Sequence, residues 1–151
     1  MIDLWHVGFV RQPVADSLDG LRGADITWLP DPGSFRFLAD PFGVERPNGL
    51  TVFVEYYDYR VRRGEIHHYS YDARGGLTAK GTALVRPFHL SYPYLIHDGG
   101  ELYMLPEAHK SGVLTLYRCT RFPDQWAPDA QLLSVPSIDA TVMQADGLWW
   151  M

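Results

Sequence analysis

Four acidic residues stand at matching points of a repeated phrase in this chain, and their type and spacing suit acid–base chemistry. Asp40 and Glu55 belong to the first copy, Glu107 to the second, and Asp139 to a third, shorter copy. Cleavage of a glycosidic bond needs one protonated and one ionised carboxyl group. Burial and mutual repulsion separate the pKa values of neighbouring carboxylates in this way. We therefore take Asp40, Glu107 and Asp139 as candidate catalytic residues.

Further residues near these carboxylates would complete a sugar-binding site. The candidate substrate-binding residues are Glu55, Tyr57, His89 and Tyr92. Tyrosine rings offer an apolar face for sugar C–H groups, and polar side chains bind the hydroxyls. A structural alternative stays open for each position, because an Asp before a strand often only accepts backbone N–H bonds in a turn. His89 could equally be a hydrogen-bonded structural histidine.

The repeat indicates which elements position these residues. Its copies cover residues 38–55 and 90–107 without a gap, and the third begins at 138. The two long copies are 52 residues apart. A period of about 50 residues built from short apolar strands is typical of propeller blades. The first two strands of a blade are antiparallel, so the start of one lies beside the end of the other. The carboxylates should therefore share one rim, at the mouth of a central funnel.

We predict an all-β fold of the five-bladed β-propeller type, incomplete here, with about two and a half blades of four-stranded antiparallel sheet. Residues 1–151 would form a single partial propeller domain. Its parts are lead-in strands at 1–37, blades at 38–87 and 88–137, and the start of the next blade at 138–151. The apolar run at 4–10 predicts a buried strand, residues 13–24 can hold one short helical turn, and residues 132–135 would be the fourth strand of the second blade. A second copy of the chain, or the remaining blades of a longer protein, would close the open edge. The alternative is a small, complete β-domain.

Composition excludes several classes of partner. The net charge is −5 and the 13 Lys and Arg residues are scattered, which argues against nucleic acid and anionic membranes. No apolar run approaches the length of about 18 residues that a membrane span needs. Asp3 and His6 interrupt the apolar N-terminus, so we expect no signal peptide and a cytoplasmic location. No metal-ligand spacing or phosphate-binding glycine loop is present, so we predict neither a metal nor a cofactor.

Several short motifs resemble those of one known family. They are A-D-P-F at 39–42, F-V-E at 53–55, F-H-L-S-Y-P-Y at 88–94, G-E-L-Y-M-L-P-E at 100–107, L-Y-R-C-T-R-F-P-D-Q-W at 116–126 and D-A-T at 139–141. In order and spacing, the chain resembles the N-terminal domain of glucosamine inositolphosphorylceramide transferases over about residues 4–151. That domain also occurs in bacterial proteins, some with formyltransferase-like regions. It is similar to the five-bladed propellers of arabinanase, xylosidase and fructosidase glycoside hydrolases.

The hydrolase resemblance implies roles for three positions. Asp40 matches the base or nucleophile of those enzymes, and Glu107 is the nearest counterpart of their general acid. Tyr92 departs from the pattern, because the hydrolases have an Asp there that tunes the acid. Asp139 or Glu55 would take over that tuning.

We therefore predict a carbohydrate-active, glycoside hydrolase-like propeller module that recognises or cleaves a glycan or glycolipid head group at the funnel mouth. The alternative is a non-catalytic domain of a larger glycosyltransferase or formyltransferase-type protein. Such a domain would bind glycan, or serve as an accessory or scaffold. Saturable sugar binding without product indicates a binding module, and no sugar binding at all indicates a scaffold.

Overall fold

The structure is a computed structural model that describes residues 3–18 and 20–151. In this part of the chain all regular structure is β-strand, apart from two 3₁₀ turns at Val14–Ser17 and His109–Ser111. The predicted all-β class is confirmed, and the first 3₁₀ turn agrees with the single helical turn expected before the repeats.

The strands of the described residues, in chain order, are β1 (Gly8–Val10), β2 (Ile26–Trp28), β3 (Arg36–Arg46), β4 (Gly49–Asp58), β5 (Arg63–Asp72), β6 (Leu77–Leu84), β7 (Ser91–Asp98), β8 (Glu101–Glu107), β9 (Leu114–Arg121), β10 (Gln125–Leu133), β11 (Met143–Ala145) and β12 (Leu148–Trp150). Strands β3 to β6 form one four-stranded antiparallel sheet, and β7 to β10 form another. In both sheets each strand lies beside the next one in the chain. The pairs β1–β2 and β11–β12 are two-stranded. The five-bladed propeller goes beyond these sheets and stays a prediction.

The two four-stranded sheets share an unusual backbone feature in their first strands. In β3 the residues Asp40 and Pro41 lie opposite a single residue of β4, and β7 has the same bulge at Tyr92 and Pro93. Asp40 and Tyr92 have φ angles of 50° and 44°, and Asp139 has a φ of 47°. Non-glycine residues seldom adopt such angles. The three copies seen in the sequence therefore share a local backbone conformation.

A hydrophobic core joins the two large sheets. It contains Val44, Phe53, Ile66, Ala83, Leu84, Leu90, Leu102, Met104, Ala108, Tyr117 and Trp126. The ring of Phe53 is fully buried and meets Trp126 and Phe122 edge-on, with centroids 5.6 and 5.9 Å apart. On the other face of the first sheet, Val52 and Val54 pack with Val7 of the lead-in segment. Side chains alternate along β4, so its two faces support two different layers.

Two strand predictions are wrong. A buried strand was expected over residues 4–10, but β1 begins at Gly8, and Trp5 is 62% exposed. Side chains of the segment join the core only from Val7, although the Trp5 carbonyl already accepts the N–H of Leu38 and the Val7 carbonyl accepts that of Leu29. The last strand of the second sheet was expected at 132–135, whereas β10 begins at Gln125 because Trp126 packs into the core.

Candidate functional site

Strand pairing brings the first acidic pair to one rim, as predicted. Glu55 pairs with Ala39, the residue directly before Asp40. In the second sheet Glu107 pairs with Ser91 in the same way. Glu107 is the last residue of β8, whereas β4 continues past Glu55 to Asp58 and β3 begins before Asp40, at Arg36. Both glutamates lie beside the bulge of the first strand. The bulge turns the chain there and offers its backbone N–H groups to acceptors outside the ladder.

A hydrogen bond connects the two copies at their matching points. The Tyr92 backbone N–H donates to Oδ2 of Asp40 over 3.1 Å. Burial raises the pKa of Asp40, this hydrogen bond opposes the rise, and the charge of Asp139 adds to it. Asp40 thus connects the two large sheets through a hydrogen bond, and it also lies among other carboxylates.

Glu55 is the most perturbed acid of the group. Only 6% of it is exposed. Burial, followed by repulsion from Asp40, Glu107 and Asp139, raises its pKa to about 8. No hydrogen bond joins its carboxyl group to any group of the described residues, and the nearest basic atom is Nε2 of His89 at 3.6 Å. At neutral pH Glu55 is therefore mostly protonated and free to donate.

His89 lies against Glu55 in a defined orientation. The Gly64 backbone N–H donates to Nδ1 of His89 over 2.8 Å. Burial, together with the charges of Lys110 and His109, lowers the pKa of His89, so the ring is neutral at pH 7. A neutral ring that accepts at Nδ1 carries its proton on Nε2, the atom that faces Glu55.

Glycine is required at position 64 by this arrangement. A Cβ atom there would lie 2.4 Å from the Leu90 carbonyl oxygen and 2.6 Å from Oε1 of Glu55. Both distances are shorter than any that a relaxed side chain tolerates. The close approach of β5 thus shapes the pocket around Glu55 and His89.

Glu107 has a partner that the sequence analysis missed. Nδ1 of His109 lies 2.9 Å from Oε1 of Glu107, which is 9% exposed. Burial raises the pKa of Glu107, His109 lowers it, and the Asp139 carboxyl group raises it again. Asp139 itself is exposed. His109 stands only two residues after Glu107, but the 3₁₀ turn that follows was not predicted, and it is this turn that folds the ring back.

The predicted aromatic residues divide into two groups. Tyr57 stacks on Phe37 at 4.9 Å and meets His89 edge-on at 5.8 Å. The charge of Glu55 is among the causes that raise the pKa of Tyr57, after burial and Tyr59. Tyr57, His89 and Glu55 therefore form one group.

Tyr92 contacts the third copy of the repeat, which begins at residue 138. Its hydroxyl lies 2.9 Å from Oγ1 of Thr141, and its ring stacks with Tyr94 at 6.2 Å. The side chain therefore holds residues next to Asp139, while the backbone N–H holds Asp40. Its contact with substrate stays a prediction.

A cleft of about 550 Å³ opens at this rim. Its lining residues are Trp5, His6, Val7, Gly8, Phe37, Leu38, Ala39, Asp40, Pro41 and Glu55. Asp40 and Glu55 thus meet in one cleft, whereas Glu107 and Asp139 are their neighbours outside it. Trp5 was not predicted as a site residue, because the apolar run 4–10 indicated a buried strand.

The remaining features of the described residues add two findings. They contain no grouping of three or more His, Cys, Asp or Glu side chains arranged to hold a metal ion. In residues 3–18 and 20–151, no helix has the length and apolar character to cross a membrane. The predicted cytoplasmic location stays a prediction.

Fold and site together define an all-β protein with two four-stranded antiparallel sheets and with carboxylates gathered around the bulges of their first strands. Residues 13–151 match the family described as "Glucosamine inositolphosphorylceramide transferase 1, N-terminal", and the chain belongs to this family. The resemblance to the transferase family is thus confirmed.

Two relatives show the extent of this similarity. Over 117 residues the chain is 38% identical to glucosamine inositolphosphorylceramide transferase 1 of Oryza sativa subsp. indica. It is 34% identical over the same length to the protein of that name from Arabidopsis thaliana. The aligned region covers 77% of this chain, but only 16% and 15% of the relatives. No solved structure matches the chain, and the relation to propeller hydrolases stays a prediction.

Proposed function

We propose that this chain is a head-group recognition domain of a glycosyltransferase that acts on a glycolipid. The relatives are named for transfer to inositolphosphorylceramide, a lipid whose head group contains a cyclitol ring. The observation that carries the proposal is the buried Glu55 beside Asp40 in an open cleft, with a carboxyl group that makes no hydrogen bond to the described residues. In a propeller completed by further sheets, this rim would be the mouth of the funnel.

Glu55 and Asp40 offer a hydrogen-bond donor and a hydrogen-bond acceptor, the pair that a polyol hydroxyl requires. Burial and repulsion raise the pKa of Glu55 to about 8, so this side chain donates a hydrogen bond at neutral pH. Asp40 is held by the Tyr92 N–H at one oxygen, which leaves the other oxygen able to accept. A ring hydroxyl both donates and accepts, so a donor beside an acceptor matches it. A phosphate group would be repelled by the acidic cluster, so the ring lies at the carboxylates.

Binding of simple head-group rings tests the proposal. We expect the 151-residue chain to bind myo-inositol or glucosamine saturably in calorimetric titrations. Asp40→Asn should weaken this binding about tenfold, the effect of about 1.4 kcal/mol from one charge-assisted hydrogen bond. Its melting temperature should stay unchanged, because Asn tolerates the left-handed backbone and still accepts the Tyr92 N–H.

Asp129→Asn is the matched control, since Asp129 of β10 pairs with Arg118 of β9 in the second sheet, outside the cleft. It should bind as the unmodified chain does. If neither ring binds saturably to the unmodified chain, the proposed function is wrong.

A second function, hydrolase-like cleavage, is favoured by one observation. Glu55 is a protonated acid at neutral pH, and a second carboxylate shares its cleft, as glycosidases require. In this scheme Asp40 would be the base or nucleophile. Release of nitrophenol from nitrophenyl glycosides, lost in Glu55→Gln while binding remains, would support cleavage. Binding without release leaves recognition as the function.

A further inference from the structure

Trp5 is an exposed aromatic residue at a fixed place beside the cleft. Its carbonyl oxygen accepts the N–H of Leu38 over 3.3 Å, which ties the backbone to β3 two residues before Asp40. The side chain is nevertheless 62% exposed and lines the cleft. Packing does not explain this exposure, because the core on this face of the sheet begins only at Val7.

The polar side of the same cleft has an unfilled hydrogen-bonding site. Glu55 is more than nine-tenths buried and lines the cleft. Within the described part of the chain its carboxyl group makes no hydrogen bond. Buried polar groups without partners are uncommon, and one beside an open cleft points to a ligand that completes it.

We propose that Trp5 is the stacking residue of a site for an uncharged six-membered polyol ring, a pyranose or a cyclitol, whose hydroxyls bind to Glu55 and Asp40. This inference rests on the proposed function and adds to it the class of ring and the residue that selects it. The apolar C–H face of such a ring lies on the indole, and its hydroxyl edge faces the carboxyl groups. The cleft volume of about 550 Å³ lies within the usual range for small-ligand sites, about 300 to 1,000 Å³.

The charge of the cleft predicts which rings bind there, and the position of Trp5 in the chain shows which segment supplies the stacking residue. Carboxylates around the cleft repel an acidic sugar, so a uronate binds more weakly than the corresponding neutral ring. The family match begins at residue 13, so Trp5 lies outside it. The proposed stacking residue therefore lies in a segment outside the residues that match the family.

The test uses calorimetric titration of the full chain with myo-inositol, methyl β-glucopyranoside and glucuronate. Trp5→Ala should raise the Kd of the neutral rings about tenfold, and Trp5→Phe should restore most of the affinity. Trp149→Ala is the matched control, because Trp149 is a similarly exposed tryptophan on β12, outside this cleft. It should leave the Kd unchanged. Tighter binding of inositol than of the glucoside identifies a cyclitol site, and the reverse identifies a pyranose site.

A second readout is independent of the variants. The indole N–H resonance of Trp5 in the unmodified chain should shift on titration with the tighter ring. An unmoved resonance, or unaltered affinity in Trp5→Ala when Asp40→Asn has lost affinity, overturns the role of Trp5 and leaves the proposed function intact. Absence of binding by the unmodified chain overturns both.

Discussion

At the scale of single residues, Glu55 shows how the neighbouring groups of a carboxyl group determine its pKa. Glu55 and Glu107 occupy the same place in two copies of one repeat. Glu107 has His109 at 2.9 Å, which opposes the rise of its pKa. Glu55 has only the neutral His89 at 3.6 Å, and its pKa rises to about 8. The same residue type in two copies of the repeat thus has a raised pKa at both positions, but a histidine partner opposes the rise only at Glu107.

This difference predicts how stability changes with pH. The pKa of Glu55 rises from its ordinary 4.5 to about 8 on folding, so between these values the folded state holds a proton that the unfolded state has lost. Stability therefore falls as pH rises from about 5 to about 8, by up to a few kcal/mol. We expect Glu55→Gln, which cannot ionise, to melt at a higher temperature than the unmodified chain at about pH 8 and to differ less from it at about pH 5.

Glu55→Gln must be compared with the unmodified chain and with a control variant, because other groups also titrate between about pH 5 and pH 8. Asp40 and Glu107 act in the same direction as Glu55, whereas the lowered pKa values of His67 and His68 act in the opposite direction. Glu101→Gln, at an exposed position of β8, serves as the control and should leave the pH dependence as it is. If Glu55→Gln changes the slope no more than this control does, Glu55 is ionised in the folded state.

At the scale of secondary-structure elements, the third copy depends on the second sheet. The hydroxyl of Tyr94 donates to the Val142 carbonyl over 2.7 Å, and Val142 is buried against Leu105 and Leu114. The strands β11 and β12 that follow are short and exposed. Two strands alone are barely stable in water, so the hairpin relies on this docking.

Tyr94→Phe should loosen the hairpin without unfolding the sheets. Loss of one hydrogen bond to a buried segment costs about 1 kcal/mol. We expect amide hydrogen exchange in residues 138–151 to become about five times faster, while exchange in β3 to β6 stays the same. Tyr103→Phe is the control, because the Tyr103 hydroxyl makes no hydrogen bond with the described residues. Equal exchange in both variants would mean that apolar contacts alone hold the hairpin.

At the scale of the whole molecule, one core unites the two large sheets. Phe53 belongs to β4 of the first sheet and packs on Trp126 of β10 in the second. Apolar groups from both sheets leave water in the same cluster. Neither sheet can therefore bury this face without the other.

Phe53→Ala should destabilise both sheets together. Removal of a fully buried phenylalanine costs about 3 to 5 kcal/mol, because a cavity remains. In urea, tryptophan fluorescence and far-ultraviolet circular dichroism should still change at one common midpoint, lower than that of the unmodified chain. Phe35→Ala, at a side chain that is 54% exposed, should shift the midpoint little. Separate midpoints for the two signals would show that the sheets unfold independently.

Local and repeating features were predictable from the sequence. The all-β class, the meander of strands in each large sheet and the closeness of Asp40 to Glu55 all follow from chain order. Successive strands joined by short turns pair antiparallel, so the contacts of near neighbours follow from their spacing. The match of Asp40, Tyr92 and Asp139 across the copies was also visible, and their shared positive φ angles agree with it.

Only the tertiary structure decided the features that depend on distant segments. The exposure of Trp5, the approach of Gly64 to Glu55 and the early start of β10 at Gln125 each depend on what packs against the element from elsewhere in the chain. The raised pKa of Glu55 likewise comes from burial by several strands and from charges in three copies of the repeat. Desolvation and charge repulsion act through space, so the spacing of residues along the chain does not determine them.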